Sequence, residues 1–185
     1  MNKTFEELNI TDNILRGIYT YGFEKPSLIQ LKSIPHIIEG KDIIAQAQSG
    51  TGKTGAFVIG SLCKIDTTLN SIQLVILLPT HELANQVYEV ILEISKYLSI
   101  NIIKLIGGTP VYDSIKLLDK GAHVVIGSPG RVLDMINRNK LITTNLKSFV
   151  LDEADEILSY GFKDTIYDII TRIPKDTQIC LFSAT

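Results

Sequence analysis

The chain has little of what marks secreted, membrane-spanning or metal-binding proteins. No apolar run reaches the roughly 20 residues that a membrane helix needs, and the segment Met1 to Phe5 lacks the apolar core of a signal peptide. Two cysteines occur in 185 residues, Cys63 and Cys180, far apart and in apolar surroundings. Such cysteines favour buried free thiols over a disulfide or a metal site, and free thiols are typical of a reducing compartment. We therefore expect no membrane association.

Strong positive charge is also missing. The formal net charge is −2 and the isoelectric point is near 5.9, so a nucleic acid could bind only through a local patch. Length and composition fit one domain, because 185 residues can bury a full core and 45% apolar residues is ordinary for an α/β protein. We find no internal repeat, low-complexity tract or long linker.

Apolar runs and helical patterns alternate along the whole chain. Continuous apolar strands separated by helices are typical of an α/β fold, in which helices cover both faces of a parallel sheet. Helices are predicted near 12–21, 28–39 and 82–98, and Pro35 should kink or end the second. The predicted strands are 42–45, 74–78, 102–106, 123–127, 149–152 and 179–183.

The segment 47–54 is the most informative part of the chain. It lies between an apolar strand and a helix, and its small residues let backbone N–H groups turn toward a polyphosphate at the positive end of that helix. Lys53 can reach the β- and γ-phosphates, and the Thr54 hydroxyl can ligate Mg²⁺. The alternative is a glycine- and serine-rich turn that only caps a helix. The pattern predicts a nucleoside triphosphate site made of Ala47, where the usual pattern has glycine, and Gln48, Ser49, Gly50, Thr51, Gly52, Lys53 and Thr54.

An acidic run follows the predicted strand at 149–152. The sequence Asp-Glu-Ala-Asp at 152–155 begins where that strand ends, and ligands of open parallel sheets bind beyond the carboxyl ends of the strands. We assign Asp152 to the Mg²⁺ that bridges the phosphates and Glu153 to the attacking water, with Lys53 as the third catalytic residue. The alternative is an acidic helix start that the helix dipole favours.

The sequence at 152–155 resembles the motif that names the DEAD-box RNA helicases. Ser-Ala-Thr at 183–185 matches their third motif. In family order, the other segments are the adenine-reading Q motif at 22–30 with Phe5 upstream, motif Ia at 79–84, the double glycine at 107–108 and motif Ib at 128–131. The resemblance covers essentially the whole chain. It implies a RecA-like P-loop NTPase domain that uses ATP and Mg²⁺ and binds RNA.

The resemblance also assigns residues to the base of the nucleotide. Gln30 is placed to read adenine, because a glutamine amide can donate to N7 or accept from the N6 amino group. Phe23 would stack on the ring, and Lys25 lies in the same motif. From the residues alone, Phe23 as a core aromatic and Gln30 as a surface helix residue remain open alternatives.

By resemblance, RNA is held through its sugar–phosphate backbone. Binding should then be independent of base sequence and sensitive to salt. Asp155, Ser183 and Thr185 would couple RNA binding to hydrolysis. The alternatives are a plain turn for the two glycines and a solvated helix residue for Arg131. The implied RNA contacts are Pro79, His81, Gly107, Gly108, Ser128 and Arg131.

One of these positions departs from the family pattern. The family carries arginine in motif Ia where this chain has His81. A histidine is mostly neutral at pH 7 and cannot form a bidentate fork with a phosphate. We expect RNA binding here to be weaker or pH-dependent, and the alternative is an exposed helix-start residue without a role.

The family pairs two RecA-like domains, and the second supplies the arginines that stabilise the transferring phosphate. Residues 1–185 are therefore expected to be the N-terminal ATP-binding domain, monomeric and nearly inactive without the C-terminal domain. Extended runs such as 17–27 are most similar to the helicases of translation initiation, which implies a cytoplasmic protein with initiation proteins as partners. Two alternatives stay open, an ATP-gated RNA clamp of the nuclear exon-junction type and a RecA-like DNA ATPase.

Overall fold

The computed structural model describes residues 3–185 and confirms the predicted alternation of strands and helices. A short 3₁₀ helix at Phe5–Leu8, which the sequence patterns did not predict, precedes the first α-helix. The α-helices are α1 (Asp12–Tyr21), α2 (Leu28–Ile38), α3 (Lys53–Leu62), α4 (His81–Ile94), α5 (Val111–Asp119), α6 (Pro129–Asn137), α7 (Ala154–Ser159) and α8 (Lys163–Ile170). The strands are β1 (Ile43–Gln46), β2 (Leu74–Leu77), β3 (Ile102–Leu105), β4 (Val124–Gly127), β5 (Ser148–Leu151) and β6 (Gln178–Ser183).

The strands form one parallel sheet in the order β1-β6-β5-β2-β4-β3. In the register of this sheet, Ala45 of β1 lies opposite Phe182 of β6, and Leu77 of β2 lies opposite Leu151 of β5. Because every strand runs in the same direction, the segments that follow the strands lie along one edge of the sheet. This topology brings the loop after β1, the acidic run after β5 and the end of β6 together.

Side chains of the central strands alternate between two apolar clusters, one on each face of the sheet. Leu74 and Ile76 of β2 pack with α1 to α4. Val75 and Leu77 of the same strand pack with α5 to α8. Successive side chains of a strand point to opposite faces. The two clusters therefore confirm the predicted α/β fold, with helices on both faces of a parallel sheet.

One helix keeps nearly its predicted bounds and another is shorter than predicted. Helix α2 continues through Pro35 to Ile38, one residue short of the predicted 39. The turn after the proline is closed by the backbone N–H of Glu39, which donates to the Pro35 carbonyl at 3.0 Å, and Ile37 is fully buried. Helix α4 ends at Ile94, before the predicted residue 98. Its end lies against α1, where the Gly17 backbone approaches the Ile94 carbonyl so closely that no Cβ would fit.

Both cysteines are free, as predicted. Burial raises the pKa of the fully buried Cys180 thiol to about 12 and also raises the pKa of the half-buried Cys63 thiol. These thiols are weak nucleophiles at neutral pH, because the thiolate is the reactive form. In residues 3–185, no helix is long and apolar enough to cross a membrane.

Candidate nucleotide and RNA site

The loop between β1 and α3 has the backbone geometry that a phosphate-binding loop needs. Gly50 and Gly52 have φ angles of 79° and 97°, a left-handed conformation that favours glycine. The Thr51 hydroxyl donates to the Gln48 carbonyl at 2.6 Å, and the Ala47 N–H donates to the Ser183 carbonyl at 3.1 Å. The first hydrogen bond closes the loop and the second connects it to β6. Helix α3 begins directly after the loop.

Lys53 is the first residue of α3, and its side chain is only 6% exposed. Its Nζ has no hydrogen-bond partner among the described residues, and the Glu153 Oε1 atom lies 3.9 Å away. Burying an ammonium group without hydrogen bonds is costly unless a ligand completes its shell. The three donors of this group fit a phosphate, which would remove the cost.

Asp152 and Glu153 lie where β5 ends, facing the loop. Asp152 is buried, and burial together with the neighbouring Glu153 charge raises the pKa of its carboxyl from 3.8 to about 6. The Asp152 Oδ1 atom accepts a hydrogen bond from the Glu153 N–H at 2.9 Å. Glu153 itself has a φ of 50°, a strained conformation for a residue with a side chain. A buried carboxylate and a strained neighbour at the end of one strand are typical of a functional site.

The phosphate loop and the acidic residues share a cavity of about 440 Å³. The sequence analysis missed one wall of it, which α4 and the end of α1 supply. The apolar pattern of the sequence assigned Leu83, Val87 and Val90 to the core face of α4. No motif in the sequence pointed to Gln86 or Tyr21. The lining residues are Tyr21, Ser49, Gly50, Gly52, Lys53, Thr54, Leu83, Gln86, Val87, Val90, Asp152 and Glu153.

Gln30 is buried beside this loop, with only 3% of its surface exposed. Its Oε1 accepts from the Ser27 N–H at 2.9 Å, and its Nε2 donates to the Gly52 carbonyl at 3.1 Å. A Cβ on Gly55 would lie 2.6 Å from the Gln30 amide nitrogen and 3.0 Å from the Phe23 ring. Gln30 and Phe23 thus pack on α3 as a pair, and Gln30 is not the surface residue of the alternative interpretation. Lys25, from the same motif, is exposed.

The residues that could hold Mg²⁺ are few but sufficient. Residues 3–185 contain no group of three or more histidine, cysteine or acidic side chains that could bind a metal ion by themselves. Mg²⁺ at nucleotide sites keeps several waters and needs only one or two carboxylates besides the phosphates. Thr54 and Asp152 line one cavity, and the pKa of the buried Asp152 carboxyl stays raised although the nearby Lys53 charge lowers it, so a further cation between this pair would fit.

The structure brings four of the predicted RNA contacts together at the ends of β3, β4 and the start of α4. The Gly107 N–H donates to the Ser128 hydroxyl at 3.2 Å. A Cβ on Gly107 would lie 4.0 Å from both the His81 ring and the Ser128 hydroxyl, and a Cβ on Gly108 would lie 3.7 Å from the His81 ring. Pro79 lies just before this helix, half-buried. The glycines leave open backbone for a phosphate, and their role in RNA binding stays a prediction.

Arg131 also makes hydrogen bonds within the chain that the sequence did not predict. Its guanidinium donates to the Thr109 hydroxyl at 3.1 Å, to the Thr109 carbonyl at 2.7 Å and to the Ser114 hydroxyl at 2.8 Å. These bonds fix the loop after the two glycines. Arg131 therefore positions the backbone of this region, whether or not its remaining N–H groups reach RNA.

The last residues of the chain contact the acidic run. The Thr185 hydroxyl donates to Asp155 Oδ2 at 2.8 Å, and hydrogen bonds from Thr185 and then Ser183 lower the pKa of Asp155. The other oxygen of Asp155 is buried without a partner among the described residues. Asp155 is thus held ionised at the end of β6, close to the residues assigned to hydrolysis.

This fold and site define a RecA-like P-loop nucleotide-binding domain: a parallel sheet, a glycine loop before a helix with a buried lysine, and carboxylates at the end of a neighbouring strand. Residues 27–185 match the DEAD/DEAH box helicase family. The chain belongs to this family, which confirms the resemblance that the motifs indicated.

Relatives and solved structures agree with this assignment. The chain is 51% identical to eukaryotic initiation factor 4A of Drosophila melanogaster over 98% of its length, and 52% identical to the ATP-dependent RNA helicase FAL1 of Mycosarcoma maydis over 98%. A DEAD box protein from Methanococcus jannaschii has the same fold, with a TM-score of 0.90 and 45% identity over 98% of this chain and 50% of that one. The chain spans about half of the relatives it matches, 45% of the Drosophila factor and 46% of the FAL1 helicase.

Proposed function

We propose that this chain is the ATP-binding half of an RNA-dependent ATPase that remodels or unwinds RNA, of the translation-initiation type. The observation that carries the proposal is Lys53, a buried ammonium without a hydrogen bond, facing a cavity that also holds Asp152 and Glu153. A triphosphate would satisfy the lysine, and the carboxylates lie where a metal ion and a water would be needed. The similarity to proteins named initiation factor 4A supports the biological role.

Each residue of the site has a distinct task in this proposal. Lys53 and the N–H groups of the loop bind the phosphates, and Glu153 orients the attacking water and accepts its proton. Gln30 and Phe23 recognise adenine beside α3. Thr54 and Asp152 would hold Mg²⁺, and the ion would supply positive charge to the phosphates.

RNA would bind along the edge where β3, β4 and α4 present His81, Gly107, Gly108 and Ser128. Its contacts are to phosphates, through backbone N–H groups and the Ser128 hydroxyl. The Saccharomyces cerevisiae protein Dbp5, bound to RNA and ADP BeF3, has this fold with a TM-score of 0.90 and 38% identity, which supports the assignment of RNA. The hydrogen bond from Thr185 to Asp155 joins the acidic run to the end of β6. A movement of one of these two segments would therefore be passed to the other.

Hydrolysis should need a further group. No arginine lines the cavity in the part of the chain that the structure describes, and an arginine on the γ-phosphate is worth about 10³ to 10⁵ in rate in P-loop enzymes. We propose that a second domain supplies it, since the chain spans about half of its relatives. On its own, the chain should bind ATP and turn it over slowly.

The test compares ATP hydrolysis by residues 1–185 with hydrolysis by the same residues joined to the C-terminal half of Drosophila initiation factor 4A. Each protein is measured alone, with single-stranded RNA and with single-stranded DNA of the same length. We expect RNA-stimulated turnover only in the joined protein, and its loss in Glu153→Gln without loss of ATP binding. Equal stimulation by DNA, or full turnover by residues 1–185 alone, would overturn the proposal.

A further inference from the structure

Lys104 is a cation that the family motifs do not include. It lies on β3, the strand at the edge of the sheet, and reaches over the surface of α4. Its Nζ donates to the Asn85 Oδ1 atom at 2.9 Å and lies 4.6 Å from the centre of the Tyr88 ring. Among the described residues, no carboxylate forms an ion pair with it, although Glu82 and Glu89 are on the same helix.

The surface around Lys104 continues from the proposed RNA contacts. On α4, Asn85 and Tyr88 follow His81 by one and two turns, so the three side chains lie on one face of the helix. Along the helix axis, Asn85 is about 6 Å and Tyr88 about 10 Å from His81. On β3, Lys104 precedes Gly107 by one short stretch of extended chain. His81 and Gly107 themselves lie against each other. The Lys104 ammonium therefore places a positive charge on the same face as His81 and the two glycines.

The contacts of Lys104 prepare it for an anion. Asn85 uses one of the three ammonium donors, which leaves two for phosphate oxygens. The Asn85 bond and the Tyr88 ring also restrict a side chain that is otherwise highly flexible, which lowers the entropy lost when a ligand is bound. A lysine held in this way, with no carboxylate to neutralise it, suits a phosphate better than a base edge.

We propose that Lys104 binds an RNA phosphate and supplies the positive charge that His81 does not. The inference rests on the proposed RNA binding and adds a contact that the family motifs do not contain. RNA would then run from Ser128 and the two glycines past His81 to Lys104. The charge lost in motif Ia is replaced from the neighbouring strand, about one helical turn away.

The test is a titration of ¹⁵N-labelled residues 1–185 with a single-stranded oligouridine, followed by NMR at several salt concentrations. The amide shifts of Gly107 and Gly108 give Kd. Lys104→Gln should weaken binding about two- to fivefold and make the slope of log Kd against log salt shallower by about 0.7. Lys104→Arg should keep the wild-type slope, and Asn85→Ala should weaken binding while the slope stays close to wild type.

Lys175→Gln is the matched control. It removes the same charge from an exposed turn before β6, at the opposite end of the strands, and should leave Kd and slope unchanged. If Gly107 and Gly108 respond to RNA but Lys104→Gln has the wild-type slope, the inference is wrong and the proposed function stands. If no amide at the proposed site responds to RNA, the RNA-binding part of the proposed function is wrong as well.

Discussion

The burial of Asp152 imposes a measurable stability cost on the folded chain. In the folded chain its carboxyl is buried beside Glu153, which raises its pKa from 3.8 to about 6. The difference is about 2 pKa units at 1.36 kcal/mol each, so keeping this carboxylate ionised costs the folded state about 3 kcal/mol at neutral pH. Asp152→Asn removes the charge and keeps an oxygen that can accept from the Glu153 N–H.

We therefore expect Asp152→Asn to be more stable than the wild-type chain in the absence of nucleotide. The gain at pH 7.5 should be about 3 kcal/mol, or roughly 6 to 12 °C in Tm for a domain of this size. The sign follows from the raised pKa: above pH 6 the carboxyl is ionised in both states and the folded state bears the full cost. As pH falls from 6 toward 3.8, the folded state takes up a proton first and the cost disappears.

Urea denaturation followed by circular dichroism, at pH 7.5 and at pH 4.5, measures this difference. At pH 4.5 the two proteins should differ by about 1 kcal/mol. The exposed Asp176 provides the control, since Asp176→Asn is the same chemical change without burial. Added ADP with Mg²⁺ should stabilise the wild type, by about 2.7 kcal/mol at 100 times Kd, and should stabilise Asp152→Asn much less.

Two results would refute this reasoning. If Asp152→Asn is no more stable than the wild type at pH 7.5, the buried carboxylate is already compensated within the folded chain. If the gain is the same at both pH values, it does not arise from ionisation. In the second case the packing of the asparagine, and not the removal of a charge, would explain the stability.

Three further predictions concern other side chains. Gln30→Ala should weaken ATP binding by about 1–3 kcal/mol and leave GTP binding unchanged. If calorimetry shows an equal loss of ATP and GTP affinity, Gln30 acts through its bond to the Gly52 carbonyl. His81→Arg should steepen the salt dependence of RNA binding by about 0.7 log units, and an unchanged slope would place position 81 off the RNA path. Burial lowers the pKa of His123 below 6.5, so its contribution to stability is complete above pH 6.5 and declines below it. Urea denaturation at pH 6.5 and 5.5 should therefore show the wild type losing up to about 1 kcal/mol relative to His123→Asn, which keeps an acceptor for the Asn101 N–H; parallel losses would contradict this.

Much of the fold follows from local patterns in the sequence. Apolar runs of four or five residues predicted every strand, because the central strands of a parallel sheet are covered on both faces and must be apolar throughout. Gly50 and Gly52 have the left-handed backbone that the predicted phosphate loop requires, because only glycine enters this region without cost. The end of α4 did not follow from the local pattern, because the helix stops at Ile94, where it packs against Gly17 of α1, before the predicted residue 98.

The sequence by itself determined the chemistry of the site: which residues bear the ammonium, the carboxylates and the hydroxyls, and in what order along the chain. The tertiary structure alone decided which of them meet. The strand order places the end of β5 and the end of β6 beside the loop after β1, so that Glu153 comes within 3.9 Å of Lys53 and Thr185 within 2.8 Å of Asp155. It also placed Lys104 over Asn85 and left the buried Lys53 ammonium without a hydrogen-bond partner among the described residues. Burial and strand order depend on contacts between distant segments, which no local pattern encodes.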